Sequence, residues 1–178
     1  YGTIHIICPD DYFMTDKTKE VFEKAEQVFL ELDMDDPSMM TQMQTQMVIT
    51  NGKTLQDYCT KEEFKTLDTY FTKNMGVGMS VLNIMKPIAL MSMSYMTILD
   101  CEPKSYETEF VTMATAQKKE VLGFETVKEQ MDAFEKIPYE TQIKLLVDMV
   151  INEEKGKKEF AEMVAEYKEQ DLDGLQKL

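Results

Sequence analysis

Two short apolar runs near the start of the chain each carry one ionisable side chain. Residues 2–7 are Gly-Thr-Ile-His-Ile-Ile, where His5 is the only histidine of the sequence, and residues 28–33 are Val-Phe-Leu-Glu-Leu-Asp, which contain Glu31. Apolar, β-branched runs of this length are typical of strands buried in a sheet. A polar group inside such a strand is costly unless it is hydrogen-bonded or binds a ligand. The pattern predicts a sheet with His5 and Glu31 as candidate functional residues.

The segments around these runs predict an α/β fold, with a small, mostly parallel sheet and a large surrounding helical portion. A helix capped by Thr15 or Asp16 is expected to connect strands at residues 2–7 and 27–33. A third strand is expected at residues 121–124. The rest of the chain has apolar residues mainly at helical spacing.

Charge and composition exclude several functional classes. The chain has 33 acidic and 19 basic residues, a formal net charge of −14, and no arginine. Nucleic-acid binding needs basic clusters and favours arginine forks, so we predict no nucleic-acid partner. No apolar run approaches the roughly 20 residues of a transmembrane helix, so none is predicted in this chain. The length fits a single domain over residues 1–178.

The cysteines and methionines give weaker indications. Cys8, Cys59 and Cys101 are widely spaced, odd in number and outside any metal-binding spacing, so neither a zinc site nor a disulfide is predicted. The 16 methionines could form a soft ligand set or an adaptable surface. Methionine at helical spacing is more often core, and we favour that interpretation.

His5 and Glu31 have chemistry that suits a site, with a structural interpretation beside each. Imidazole can ligate a metal or transfer a proton near neutral pH, but position alone makes a structural histidine equally plausible. Glu31 would need a lysine, a backbone N–H, His5 or a metal ion as partner, unless it is an exposed residue of an edge strand. Nucleophile-elbow and P-loop motifs are absent from the sequence, which leaves metal-assisted hydrolysis open.

Three blocks of the chain resemble the TraB/GumN family in order and spacing. They are the opening Tyr-Gly-Thr-Ile-His, the run Val-Phe-Leu-Glu-Leu-Asp-Met-Asp-Asp-Pro, and Val-Leu-Gly-Phe-Glu-Thr-Val-Lys-Glu-Gln-Met-Asp. The resemblance covers essentially the whole chain. This family is related to the Tiki metalloproteases and, more distantly, to erythromycin esterase and ChaN-like proteins.

The resemblance implies a metal-dependent hydrolase, specifically a peptidase, acting on a peptide or small-molecule substrate. His5 and Glu31 are then the catalytic residues, either as metal ligands or as a general base and its partner. The implied cofactor is a divalent metal, Mn, Co or Zn, which activates a water molecule as the nucleophile. Supporting roles fall to residues that match other parts of the family blocks: Gly2, Glu107, Glu125 and Gln130.

The chain also departs from the family pattern. Family members normally carry a second Gly-x-x-His near the C-terminus, and nothing after Asn152 matches it. We therefore expect a chain truncated at both ends, with the second motif beyond Leu178. Export or lipoprotein signals are common in the family, which implies an exported or cell-envelope protein of a bacterium.

A competing hypothesis from a different class is a noncatalytic acidic helical module for binding or scaffolding. Its acidic surface and Met-lined helices would recognise a partner. A second Gly-x-x-His in a longer protein would favour the enzyme, and its absence there would favour the binding module.

Overall fold

The computed structural model describes residues 2–99 and 101–177, which form helices and one two-stranded sheet. In chain order the elements are α1 (Asp16–Lys24), β1 (Gln27–Leu32), α2 (Met39–Gln46), a 3-10 helix (Leu55–Asp57), α3 (Lys61–Met75), α4 (Met79–Leu82), α5 (Pro87–Ile98), α6 (Tyr106–Gln117), β2 (Glu120–Glu125), α7 (Val127–Glu135), α8 (Tyr139–Ile151), α9 (Glu153–Glu169) and α10 (Leu172–Leu175). The predicted α/β class, with a small parallel sheet and a large helical portion, is confirmed. Tyr1, which opens the first family block, lies outside the described residues.

The chain divides into two compact units. The first unit consists of residues 2–39, 99, 101–126 and 158–177, and the second of residues 40–98 and 127–157. The first unit holds the sheet, whereas the second is helical. The single domain expected from length stays a prediction. None of the helices in the described ranges is long and apolar enough to cross a membrane.

The sheet consists of β1 and β2, which pair in parallel with Leu30 opposite Gly123. Leu30 and Val121 are buried in the core of the first unit. Phe29 and Phe124 are exposed and stack on each other, with ring centroids 5.2 Å apart. The alternation follows from the two-residue period of a strand, which sends successive side chains to opposite faces. The sheet thus has one face in the core and one that is accessible.

The prediction of a strand at residues 2–7 is wrong. Within the described residues, only Ile7 of this segment forms a bridge, an isolated antiparallel one with Lys104. Its two N–O distances are 3.0 and 2.8 Å. Ile7 is buried in the core of the first unit and Ile4 packs against that core. Ile7 is therefore buried and Ile4 partly buried without a neighbouring strand in the described ranges, since the segment pairs with Lys104 just before α6.

The structure contains a disulfide, although the cysteine spacing indicates no disulfide framework. Cys8 and Cys101 form one across a sequence separation of 93 residues, with their Cα atoms 5.8 Å apart. The bond adjoins the bridge between Ile7 and Lys104, so a covalent link and a backbone pair join the same two segments. Cys59 is a free thiol, whose pKa is raised to about 11 by burial and by the charge of Glu63.

The core interpretation of the methionines holds for part of the second unit. Met79 is fully buried, and Met91 and Met93 pack against the same cluster. Met40 and Met96 are 62% and 48% exposed, so they contribute to the surface instead. Helical spacing alone does not separate these two groups.

The buried amide of Gln142 gives a testable prediction about the stability of the second unit. This residue of α8 is 4% exposed, and its Nε2 donates to the carbonyl oxygens of Phe134 and Ile137 at 2.9 and 2.8 Å. Replacement by leucine keeps the volume but leaves both carbonyls without that donor. We expect Gln142→Leu to lower the free energy of unfolding by about 2 kcal/mol in urea denaturation. The exposed Gln44 is the control, and Gln44→Leu should change stability by less than about 0.5 kcal/mol. Equal effects of both changes would contradict this role of the Gln142 amide.

Candidate active site around His5

The structure brings together His5, Glu31 and Glu107, the last of which the family resemblance gives a supporting role. His5 Nδ1 lies 3.2 Å from Glu107 Oε1, and Nε2 lies 3.8 Å from Glu31 Oε2. The side chains of His5 and Glu31 are 70% and 60% exposed, whereas that of Glu107 is 11% exposed. Glu31 therefore emerges on an accessible surface, which is the exposed alternative of the sequence analysis.

Local structure places each of these side chains. Glu31 is the last residue but one of β1, and Glu107 lies in the first turn of α6. Ser105 is the N-cap of α6, where its hydroxyl accepts from the N–H of Thr108 at 3.3 Å. A carboxylate in the first turn of a helix is stabilised by the helix dipole. His5 is held near α6 by the bridge and the disulfide that follow it in sequence.

Glu107 is a buried carboxylate with hydrogen-bond donors at both oxygens. Thr3 Oγ1 donates to Oε1 at 2.7 Å, and Ser105 Oγ donates to Oε2 at 2.8 Å. Burial alone would raise the pKa of Glu107, but the hydrogen bonds from His5, Thr3, the backbone and Ser105 outweigh it and lower the pKa to about 2. The hydrogen bond to Glu107 raises the pKa of His5 against the effect of burial, and the negative charges of Glu107 and Glu31 add to the increase. The pair thus favours an imidazolium beside an ionised carboxylate.

These shifts predict a pH window for stability. Glu107 contributes fully above its ordinary pKa of 4.5 and loses its contribution as the pH falls towards about 2. His5 contributes fully below its ordinary pKa of 6.5 and loses its contribution as the pH rises through the raised pKa. We expect the contribution of the pair to be greatest between these ordinary values, with about 2–3 kcal/mol from Glu107.

Urea denaturation across this pH range checks the prediction. The stability difference between the wild type and Glu107→Gln should decrease below pH 4.5, where the unfolded carboxyl becomes protonated. The same measurement on Glu26→Gln, which changes an exposed carboxylate at the start of the β1 segment, is the control. A difference that stays constant with pH would contradict the shifted pKa of Glu107.

A cavity of about 760 Å³ in the first unit adjoins the carboxylates. Glu31 and Glu107 contribute to its lining, together with a largely apolar set that includes Phe29, Phe110 and Phe124. An apolar cavity with a few convergent polar groups is the usual form of a ligand site. The stacked Phe29 and Phe124 rings are therefore positioned to contact a ligand near the two carboxylates.

The donor chemistry at His5 fits a divalent cation. Because an ionised carboxylate only accepts hydrogen bonds, Glu107 keeps the proton of a neutral His5 ring on Nδ1, which leaves the lone pair of Nε2 for a metal ion. The Glu31 carboxylate next to Nε2 supplies a hard oxygen ligand, and imidazole with carboxylate suits Mn, Co and Zn. The described residues contain no cluster of three or more His, Cys, Asp or Glu side chains arranged as a metal site. His5 and Glu31 thus form a two-ligand donor set.

Comparison with known proteins decides the family. The model of the TraB/PrgY/gumN family matches residues 1–178, the whole chain. The chain belongs to the TraB/PrgY/gumN family. The predicted resemblance to TraB/GumN is therefore confirmed. No curated protein matches the chain, and no solved structure matches it.

The other residues that the TraB/PrgY/gumN blocks single out lie in different elements of the structure. Gly2 lines the cavity, and its carbonyl accepts from Tyr167 at 3.1 Å. Glu125 is the exposed last residue of β2, opposite Leu32, and is not among the described ion-pair partners of His5. Gln130 lies in α7 of the second unit. The supporting roles of Gly2, Glu125 and Gln130 stay predictions.

Sequence reasoning missed Thr3 and Ser105. Both donate to Glu107, yet Thr3 lies within an apolar run and Ser105 is 102 residues away from it. Ser105 precedes a helical pattern, which is the usual signal of an N-cap. That signal predicts a role in the helix start, but nothing local predicts that its hydroxyl also binds the carboxylate two residues on.

Proposed function

We propose that this TraB/PrgY/gumN protein is a metal-dependent hydrolase that cleaves peptides. The observation that carries the proposal is the single histidine placed between two carboxylates beside an apolar cavity. A histidine oriented by one carboxylate, with a second carboxylate next to its other ring nitrogen, is an arrangement that metal sites use. The family's relation to the Tiki metalloproteases points to the same reaction class.

Glu107, His5 and Glu31 have distinct roles in this proposal. Glu107 accepts the Nδ1 hydrogen bond and orients the ring of His5. His5 Nε2 and Glu31 would hold a Mn, Co or Zn ion. When bound, such an ion lowers the pKa of water into the neutral range and so supplies a hydrolytic nucleophile. In the alternative that the family resemblance leaves open, His5 and Glu31 are instead a general base and its partner.

The cavity supports a peptide with an apolar side chain near the bond that is cut. Phe29 and Phe124 offer a stacked aromatic surface, and Phe110 lines the same cavity. The net charge of −14 disfavours acidic peptides through repulsion. We propose uncharged or basic peptides with an apolar residue as the substrate class.

The disulfide supports the proposed export to a bacterial cell envelope. Cys8 and Cys101 are paired in the structure. Disulfides form and persist mainly in oxidising compartments, including the periplasm and the cell surface. Fractionation of the native host, followed by an alkylation assay of the two cysteines, would test the location and the bond together.

Isothermal titration tests the metal proposal directly. Mn²⁺, Co²⁺ and Zn²⁺ are titrated into the chelator-treated chain and into its His5→Ala and Glu31→Gln variants. We expect His5→Ala to abolish binding, because it removes the nitrogen ligand, and Glu31→Gln to weaken it strongly. Glu26→Gln, an exposed carboxylate change at the start of the β1 segment, is the matched control and should bind as the wild type does.

A hydrolysis assay completes the test. The metal-loaded chain is incubated with a mixture of peptides, and the products are identified by mass spectrometry. Cleavage that is lost in His5→Ala and kept in Glu26→Gln supports the proposal. Absence of metal binding both by the chain and by a longer protein that carries the second Gly-x-x-His, or binding and cleavage that do not depend on His5 and Glu31, would overturn it and favour the noncatalytic binding module.

A further inference from the structure

Two hydroxyl groups from distant parts of the chain converge on Glu107. Thr3 Oγ1 donates to Oε1 at 2.7 Å across 104 residues of sequence, and Ser105 Oγ donates to Oε2 at 2.8 Å. His5 Nδ1 shares Oε1 with Thr3, at 3.2 Å. Each oxygen of the carboxylate is thus engaged by a hydroxyl, so its plane is fixed independently of His5.

This arrangement decides which nitrogen of His5 carries the proton when the ring is neutral. An ionised carboxylate has no hydrogen to donate, so Nδ1 must be the donor in the contact with Glu107. Nε2 is then left with its lone pair, and it lies 3.8 Å from Glu31. A carboxylate free to rotate would leave both tautomers accessible to a ring that is 70% exposed.

The hydroxyls are not needed to hold the two segments together. The bridge between Ile7 and Lys104 and the disulfide between Cys8 and Cys101 already join them. Ser105 has a separate task as the N-cap of α6, but Thr3 has no capping role among the described elements. The Thr3 hydroxyl therefore acts on the orientation of the Glu107 carboxylate.

We propose that Thr3 and Ser105 are positioning residues that act through Glu107 to hold neutral His5 in the Nδ1-protonated tautomer, with Nε2 available as a ligand atom. The use of Nε2 by a metal rests on the proposed function. The tautomer does not, since it is a property of the metal-free chain. The inference thus assigns roles to two side chains outside the predicted catalytic set.

Nitrogen-15 NMR of the histidine ring tests this inference. His5 is the only histidine in the sequence, so the ring gives one pair of signals that report its tautomer without site assignment. The spectrum is recorded without metal, at a pH at which the ring is neutral. We expect the Nδ1-protonated form to dominate in the wild type and to lose its dominance in Thr3→Val, which removes the hydroxyl at nearly constant shape. Thr3→Ser keeps a hydroxyl and should restore the wild-type spectrum.

Two further variants make the test decisive. Thr112→Val is the matched control, because the Thr112 hydroxyl of α6 donates only to the carbonyl of Thr108, away from Glu107. Ser105→Ala should likewise reduce the share of the Nδ1-protonated form. Having both variants keeps the test valid if one of them fails to fold. A wild-type tautomer ratio in the folded variants, or a change of the same size in Thr112→Val, would overturn the inference.

Metal affinity separates this inference from the proposed function. If both hold, Thr3→Val should weaken Mn²⁺ binding about 10-fold, within the usual range for loss of an outer partner of a ligating histidine, and Thr3→Ser should restore it. A tautomer change without any metal binding by the wild type would leave the inference intact and overturn the proposed function. Metal binding through His5, with a tautomer ratio that does not change in Thr3→Val and Ser105→Ala, would support the proposed function and overturn this inference.

Discussion

Removal of the disulfide between Cys8 and Cys101 is expected to lower the free energy of unfolding by about 4 kcal/mol. The bond closes a loop with a sequence separation of 93 residues, and the entropy lost by the unfolded chain on cross-linking increases with loop length. The loop contains α1 and β1 of the first unit, and α6 follows it in sequence. We expect the Cys8→Ser/Cys101→Ser variant to unfold at a clearly lower urea concentration than the oxidised wild type.

Three comparisons check this result. The reduced wild type should match the double variant, and a reductant should not change the double variant further. Cys59→Ser is the single-cysteine control, since Cys59 is a free, half-buried thiol, and it should cost much less than the loss of the bond. Equal stability of the oxidised wild type and the double variant would contradict the stabilising role of this bond.

Gly123→Ala is expected to destabilise the first unit by about 3 kcal/mol. This value is at the upper end of the usual cost of adding a methyl group to a packed interior. A Cβ atom at Gly123 would lie 2.5 Å from the backbone nitrogen of Asp33, and 3.0 Å from the carbonyl carbon of Leu32 and the carbonyl oxygen of Glu125. All three are backbone atoms, so no side chain can rotate away. The C-terminal end of β1 would have to move from β2, and Glu31 lies at that end.

Gly156→Ala is the matched control for this change. The same methyl group added in α9 would meet only the side chain of Ile98, at an ordinary distance of 3.6 Å. Replacing glycine by alanine within a helix should raise stability by about 0.5–1 kcal/mol. Urea denaturation of the two variants should therefore give changes of opposite sign. A Gly123→Ala variant as stable as the wild type would contradict the close approach of β1 and β2.

The two strands of the sheet show what local sequence can predict. The apolar runs around Leu30 and Val121 predict β1 and β2, and both occur in parallel. The resemblance of the sequence blocks to the TraB/GumN family also predicts His5 and Glu31 as neighbours, and the structure brings them to 3.8 Å. The strands are predictable because the apolar period is a property of a short segment.

The partners of polar groups were decided by tertiary structure alone. Residues 2–7 have a strand-like composition, but within the part of the chain that the structure describes their backbone pairing is limited to one bridge, between Ile7 and Lys104, which precedes α6. The hydrogen bond from Thr3 to Glu107 joins residues 104 apart, and no local pattern encodes such a pair. The same holds for the disulfide of Cys8, whose partner is set by which segments the fold brings within reach.

The amino-acid pattern thus specifies the fold class, the two strands and the family. Packing between distant segments sets the burial of Glu107, the hydroxyl donors at both of its oxygens and the exposure of Glu31. The difference lies in the distance along the chain over which each interaction acts. Strand periodicity acts over a few residues, whereas the ionisation and orientation of a side chain depend on every group that packing places around it.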